Sequence, residues 1–192
     1  MSSRDLLVDP IGIVHSPWSG ADGTPIQSFV SWHLDNGWQK SEVDRLDIPF
    51  KDRKGGRGTL EVHDRWREAL RDLDGFTHLW AIFWIDRSSP PEPTVIPYRD
   101  TVRRGLFATR TPSRPNPIGL SCLRIVSVVG RCVHVSGLDI LDGSPLIDIK
   151  PYIPDYDSFR TASRGWLEGP SSREEVVAAD DRFYEDIAKS SR

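Results

Sequence analysis

Two arginines on a proline-rich stretch are the side chains best suited to bind an anion. The stretch 105–116 has the sequence GLFATRTPSRPN and carries Arg110 and Arg114. A guanidinium is a planar fork of donors that matches a carboxylate or a phosphate. The prolines here, with Pro117 after them, fix backbone angles and remove hydrogen-bond donors, so neither a helix nor a central strand can pass through. We predict a stiff extended loop presenting both arginines; the alternative is a structural turn with solvated arginines.

A carboxylate in an apolar run is the second candidate for binding. Asp148 lies between Ile147 and Ile149. A carboxylate buried alone is costly, so this one should be exposed or partnered. Lys150 is on the same side of a strand by alternation and is the nearest partner. The pattern leaves two interpretations open, a structural ion pair and a ligand-binding carboxylate.

The histidines, cysteines and glycines do not form a familiar catalytic or metal-binding pattern. The five histidines are scattered, without HExxH or CxxC spacing, so we expect no metal. Cys122 and Cys132 lie in strand-like runs, where reduced thiols are expected. The stretch 54–61, KGGRGTLE, lacks the third glycine of a dinucleotide-binding loop. The stretch 119–123, GLSCL, lacks the second glycine of a nucleophile elbow.

Length and charge limit the class of protein. A chain of 192 residues with 38% hydrophobic residues and seven tryptophans is one domain, or one domain and a tail. We expect no membrane span or signal peptide, and a cytoplasmic protein. The net charge of -3 argues against a generally basic coat, but 99–114 holds five arginines against one aspartate. This split is compatible with RNA contact near one site and with ordinary surface variation.

Short β-branched and aromatic runs between glycines and prolines predict a mainly β fold. Gly130 and Arg131 separate two of these runs and predict a hairpin. The run 77–85 is nearly all apolar, which is typical of a strand buried on both faces. The predicted strands cover residues 11–15, 58–62, 77–85, 120–129, 132–135 and 146–149.

Two helices are predicted around these strands. Trp66, Leu70 and Leu73 share an apolar stripe in 64–73, with Asp64 as N-cap. A capping box at Ser172 and Glu175 opens the second helix, whose stripe is Val176, Ala179, Phe183 and Ile187. We expect a barrel domain over 1–160 and a C-terminal extension over 161–192. Its helix should pack on the barrel or on a partner chain.

In four places the sequence resembles the TsaA-like, or TrmO, family. The two long matches are ATRTPSRPNPIGLS at 108–121 and LDILDGSPLIDIKPY at 138–152; the shorter ones are IGIVHSP at 11–17 and GFTHLW at 75–80. The resemblance implies a single β-barrel with a few peripheral helices, and a homodimer with its site near the subunit interface. It also implies methyl transfer from S-adenosylmethionine to N6 of threonylcarbamoyladenosine at position 37 of tRNA, in the anticodon loop.

The same resemblance implies which residues hold the cofactor and the substrate. Four stretches would hold S-adenosylmethionine: Pro25, Ile26 and Gln27; Asp86 and Arg87; Arg110; and Pro145, Leu146, Ile147 and Asp148. Asn116, at a position that the family keeps, is the candidate for substrate contact. By its charge, and not by the resemblance, Arg114 is a candidate for binding the phosphates of the RNA. Asp86 and Arg87 replace the His-Gln pair of bacterial members, Ile26 replaces a basic residue, and Ser144 replaces a threonine.

Chemistry agrees with part of this assignment. The carboxylate of S-adenosylmethionine calls for a donor such as Arg110, and its ammonium and ribose call for oxygens such as those of Asp148. The leaving thioether is good, so the protein mainly aligns the two reactants. The sequence identifies no general base. Two alternatives remain: a non-catalytic barrel that binds a nucleotide or RNA, and a methyltransferase with a small-molecule acceptor.

Overall fold

Six antiparallel strands close into a barrel, and the proline loop enters this barrel at one end. A computed structural model describes residues 7–18, 56–97, 100–159 and 161–168. The strands are β1 (Gly12–His15), β2 (Gly56–Val62), β3 (His78–Trp84), β4 (Thr94–Val95), β5 (Arg104–Gly105), β6 (Ile118–Val129), β7 (Cys132–Leu138) and β8 (Pro145–Pro151). The barrel order is β1–β2–β7–β6–β3–β8, closed by pairing of β8 with β1. The mainly β prediction is therefore confirmed.

The barrel interior is filled by one face of each strand. Along β3, Leu79, Ala81 and Phe83 are buried, whereas the residues between them are only half-buried. The expectation that this strand is covered on both faces was wrong, because a barrel has a single interior and the other face of β3 points outward. The fully buried core side chains include Val14, Leu60, Leu79, Leu123, Val133 and Leu146.

The β6–β7 hairpin was correctly predicted. Gly130 has a φ of 61°, in the left-handed region, and Val129 pairs with Cys132 across the turn. Glycine adopts this conformation without a steric cost, so the two strands can reverse within two residues.

The helix predicted over 64–73 is instead two 3₁₀ turns, Asp64–Leu70 and Leu73–Gly75. His63, not Asp64, precedes the first turn, and it makes no side-chain capping bond. Asp72 interrupts the segment with a φ of 67°. Leu70 and Leu73, on either side of this break, are both buried against the barrel. The break lets each turn direct its own leucine to the core, whereas the predicted stripe assumed one continuous helix.

Three further short elements surround the barrel. They are a 3₁₀ turn at Leu106–Ala108, helix α1 at Pro154–Asp157 and a 3₁₀ turn at Gly165–Glu168. The helix predicted from residue 172 and the triplet Pro25, Ile26 and Gln27 lie outside the described residues. Within the described ranges, no helix is long and apolar enough to cross a membrane.

A glycine opposite an aromatic ring gives a test of the barrel register. Gly119 pairs with Phe83, and a Cβ added at Gly119 would lie 2.2 Å from the ring. Gly119→Ala should lower the free energy of unfolding by about 1–3 kcal/mol in urea titrations, because the ring cannot shift without disturbing the core. The additional change Phe83→Leu should recover part of the loss. Gly75→Ala is the control, since nothing lies within 4 Å of the added Cβ. Equal effects of the two alanines would contradict this register.

Candidate functional site

The end of β3 is tied to the turn before β8 by one arginine. Arg87 Nη2 donates to the carbonyl oxygen of Asp142 at 2.7 Å and to Ser144 Oγ at 3.4 Å. Its Nε donates to Asp86 Oδ1 at 3.2 Å. The turn covers Asp142 and Gly143, and Gly143 has a φ of 78° there, in the left-handed region. Two stretches that the resemblance assigns to the cofactor, Asp86–Arg87 and the start of β8, are therefore neighbours in space.

Asp142 joins the same turn to the chain that follows β1. Its Oδ1 accepts from the backbone N–H of Ser16 at 2.9 Å, and its own N–H donates to the carbonyl of Trp18 at 2.7 Å. Gly143 N–H donates to the carbonyl of Val14 at 2.9 Å. Residues 16–18 therefore lie beside the turn that Arg87 holds.

The proline loop is attached at the same end of the barrel. The backbone N–H of Ile85 donates to the carbonyl of Pro117 at 2.7 Å, directly before Asp86. Three segments and the turn therefore border one end of the barrel, and we call them the rim: residues 16–18, 85–87, 109–117 and 142–145. Arg110 is exposed on the loop, and Asn116 is exposed near its end.

Arg114 supports the loop from within. Its Nη1 donates to the carbonyl oxygens of Thr109 at 3.1 Å and of Leu106 at 3.4 Å. Thr109 is itself buried, and its hydroxyl donates to the Leu106 carbonyl at 2.8 Å. The loop is therefore held by side-chain bonds as well as by its prolines, which agrees with the predicted stiffness.

An ion pair and a tryptophan hold the base of this loop. Arg104 Nε donates to Asp100 Oδ2 at 2.6 Å. Desolvation alone would raise the pKa of Asp100, but hydrogen bonds from Arg104 and from the backbone of Val102 and Thr101 outweigh it and keep the pKa below its usual range. The Arg104 guanidinium also lies 5.3 Å from the ring centroid of Trp166. The C-terminal part of the described chain thereby packs on the loop.

Asp148 lies away from the rim, on the outer face of β8. It pairs across the sheet with Ile82, while its neighbour Ile149 pairs with the buried Ala81. Asp148 Oδ2 is 2.7 Å from Lys150 Nζ, so the ion pair is present. Together with Ile149 it borders a cavity of about 430 Å³ beside the 3₁₀ turns. The structure does not bring Asp148 to the turn that Arg87 holds.

The other β8 residues assigned to the cofactor differ in their access. Pro145 and Ile147 are half-buried, and Ile147 lies where the β3–β8 register shifts. The Leu146 side chain is fully buried in the core, and its carbonyl accepts from the N–H of Ile11 at 2.8 Å. A ligand at this stretch would therefore contact the backbone of Leu146 and not its side chain.

A buried polar atom of the rim, Nε1 of Trp18, has no hydrogen-bond partner within the described ranges. The same is true of Ser89 Oγ, two residues after Arg87. A buried donor without an acceptor costs about 1–3 kcal/mol, so a bound acceptor at this end would be favoured. The rim also carries the exposed Arg110, whose guanidinium suits a carboxylate, and Asp86, whose carboxylate accepts from Arg87 and suits an ammonium as well. This donor and acceptor set fits a zwitterionic nucleoside such as S-adenosylmethionine.

Three rim residues were missed from the sequence. Ser16, Trp18 and the side chain of Asp142 were not singled out as binding or positioning residues. The Asp142 side chain bonds to Ser16, 126 positions away in sequence, and no local pattern indicates such a contact. No group of three or more His, Cys, Asp or Glu in the described ranges is arranged to hold a metal ion.

Comparison with known proteins agrees on one family. The model of the tRNA-methyltransferase O N-terminal domain matches residues 13–158. A probable S-adenosyl-L-methionine-binding protein from Pyrococcus abyssi is 35% identical over 91% of this chain and 83% of its own length. The tRNA (adenine(37)-N6)-methyltransferase of Mus musculus is 34% identical over 82% of this chain, but this match covers only 33% of the mouse protein.

Solved structures give the same result at the level of the fold. Two crystal structures of TrmO from Pseudomonas aeruginosa superpose with TM-scores of 0.63 and 0.59, at 28% and 29% identity. Each match covers 88% of this chain and 65% of the crystallised chain. This chain thus spans slightly less than two thirds of the length of these crystallised relatives.

Proposed function

The chain belongs to the tRNA-methyltransferase O family, whose N-terminal domain model covers most of it, and from this membership we propose that it is an S-adenosylmethionine-dependent tRNA methyltransferase acting in the cytoplasm. The observation that carries the proposal is the rim. One arginine and one turn hold together the end of β3, the start of β8 and the chain after β1, and the proline loop is bonded to the same end.

The rim residues would hold the methyl donor by complementary charge. S-adenosylmethionine, when bound, supplies an activated methyl group on its sulfonium. Arg110 binds the carboxylate of its amino acid part, and Asp86 faces the ammonium. Arg87 holds the turn at the start of β8 in place. The stiff loop restricts the approach of the acceptor, which is the alignment that an in-line displacement needs.

We propose N6 of threonylcarbamoyladenosine at position 37 as the acceptor. An anticodon-loop adenosine is single-stranded, so its base can be turned outward and bound by its edges and faces. Asn116 is exposed at the end of the loop and contacts this base in the proposal. The phosphates on either side are bound by the arginines of the 99–114 stretch, in a salt-dependent way.

We also propose that the protein works as a homodimer through the outer face of β3 and β6. Trp84 pairs across the sheet with Ile118, and Ile82 pairs with Leu120. Ile118 and Leu120 are 48% and 45% exposed, so these pairs form an apolar row open to solvent. A second copy covering this row would bury it from water, and the barrel end with its rim adjoins the row at Trp84.

Sedimentation tests the dimer. Two chains of 21.7 kDa each should sediment as one particle. Leu120→Glu should dissociate it, because a carboxylate would be buried without a partner. Val129→Glu is the matched control, since Val129 is exposed at the hairpin end of β6. A wild-type particle with the mass of one chain would rule out this assembly.

Transfer of a labelled methyl group tests the activity. We expect label from S-adenosylmethionine in bulk tRNA, and mass spectrometry of its nucleosides should find the N6-methylated threonylcarbamoyl form. Arg110→Ala should lose cofactor binding in calorimetry together with this activity. Arg103→Ala should keep cofactor binding, because Arg103 is engaged by Glu92 and Thr94.

The outcomes separate the proposals. Label in a different tRNA nucleoside would reject only the threonylcarbamoyl acceptor. Label in a small molecule would reject tRNA as the acceptor. Cofactor binding without label on any acceptor would show a binding module and reject the enzyme. Full cofactor affinity in Arg110→Ala would reject the role of this arginine.

A further inference from the structure

An exposed aromatic ring on the proline loop is not used by the function proposed above. Phe107 is 80% exposed, although the preceding residue, Leu106, is buried and the following one, Ala108, accepts a hydrogen bond from Trp166. A large apolar side chain left in water on a well-held segment is a candidate for contact with a partner.

The backbone on both sides of Phe107 is fixed by hydrogen bonds. Leu106 is buried, its N–H donates to the Pro93 carbonyl at 3.0 Å, and its own carbonyl accepts from the hydroxyl of Thr109 at 2.8 Å. The carbonyl of Ala108 accepts from Trp166 Nε1 at 2.8 Å. Phe107 is therefore an exposed ring on a backbone that is already fixed. Little conformational entropy would be lost when a partner binds it.

A cation lies against this ring. The guanidinium carbon of Arg114 is 5.5 Å from the Phe107 ring centroid. Within the described part of the chain, Arg114 bonds to carbonyl oxygens and to no carboxylate, so its positive charge is not neutralised. An aromatic ring with an arginine beside it is the arrangement on which proteins stack unpaired nucleobases.

We propose that Phe107, reinforced by Arg114, is the platform on which an unpaired base of the RNA substrate stacks. This inference rests on the proposed tRNA methylation and names a residue that recognises the RNA. The charge beside the ring favours RNA over an apolar protein surface. Arg103 and Arg104 are paired with Glu92 and Asp100. Arg114, against the ring, bonds to carbonyl oxygens and to no carboxylate in the described part of the chain, so a polyanion is attracted to the side of the loop that presents the ring.

Four variants test the platform. Phe107→Ala and Phe107→Leu remove the ring, Phe107→Trp keeps a stacking face, and Val129→Ala removes another exposed apolar side chain, at the far end of β6. We measure KM and kcat for bulk tRNA, the Kd of a fluorescent anticodon stem-loop, and the Kd of S-adenosylmethionine. Loss of one stacked base should raise both RNA constants about 5- to 150-fold in Phe107→Ala and Phe107→Leu.

The same substitutions should leave the Kd of S-adenosylmethionine unchanged, and Phe107→Trp and Val129→Ala should keep wild-type RNA constants. Wild-type KM and RNA Kd in Phe107→Ala would overturn the platform and leave tRNA methylation standing. Equal KM and Kd values for RNA in Phe107→Leu and Phe107→Trp would show that any apolar side chain suffices here, and would overturn stacking as the role of the ring. Dissociation of the dimer by Phe107→Ala would assign the ring to a second copy of the chain. Absence of RNA binding in the wild type would overturn both the platform and the tRNA proposal.

Discussion

The contact between Arg87 and the turn before β8 determines how the candidate site is assembled. A barrel fixes the directions of its strands but leaves its connecting loops free to diverge. Here Arg87 bonds the carbonyl of Asp142, and Asp142 in turn bonds the backbone of Ser16 and Trp18. One side chain at the end of β3 thus brings segments from three parts of the chain to one end of the barrel.

The proline loop adds a second constraint of a different kind. Its prolines reduce the conformations open to the unfolded chain, and its side chains bond its own carbonyls in the folded state. Arg114 contributes twice, because its donors hold the loop and its charge lies against Phe107. A segment that aligns two reactants must itself be rigid. This loop is therefore suited to methyl transfer, in which alignment is the main task of the protein.

Much of the barrel could be predicted from the sequence because its signals are local. Short β-branched and aromatic runs between glycines and prolines identified the strands, and Gly130 with Arg131 identified the hairpin. The 3₁₀ turns could not be predicted, since the break at Asp72 reflects the need to direct Leu70 and Leu73 into the barrel separately. Burial of β3 was overestimated because an apolar strand does not reveal whether its outer face meets another layer.

The site was predictable only in part, for a similar reason. Motif resemblance identified the stretches, and Arg110 stands on the predicted loop. Whether a charged side chain faces a ligand or a neighbour depends on contacts distant in sequence. Arg87 is used by the turn, and Asp148 is used by Lys150 on the outer face of β8. Alternation along the strand identified Lys150 as a possible partner but left a ligand-binding role open, and the position of Asp148 relative to the rim needed the barrel register.

The most direct measurement is amide hydrogen exchange with and without S-adenosylmethionine. Exchange over minutes to hours reports local opening, and bound ligand slows it where the backbone is contacted or held. We expect slower exchange at residues 16–18, 85–87, 109–117 and 142–146, with the 3₁₀ turns at 64–75 unchanged. Protection confined to those turns and to residues 148–151, a stretch that borders the 430 Å³ cavity, would contradict a cofactor site at the rim.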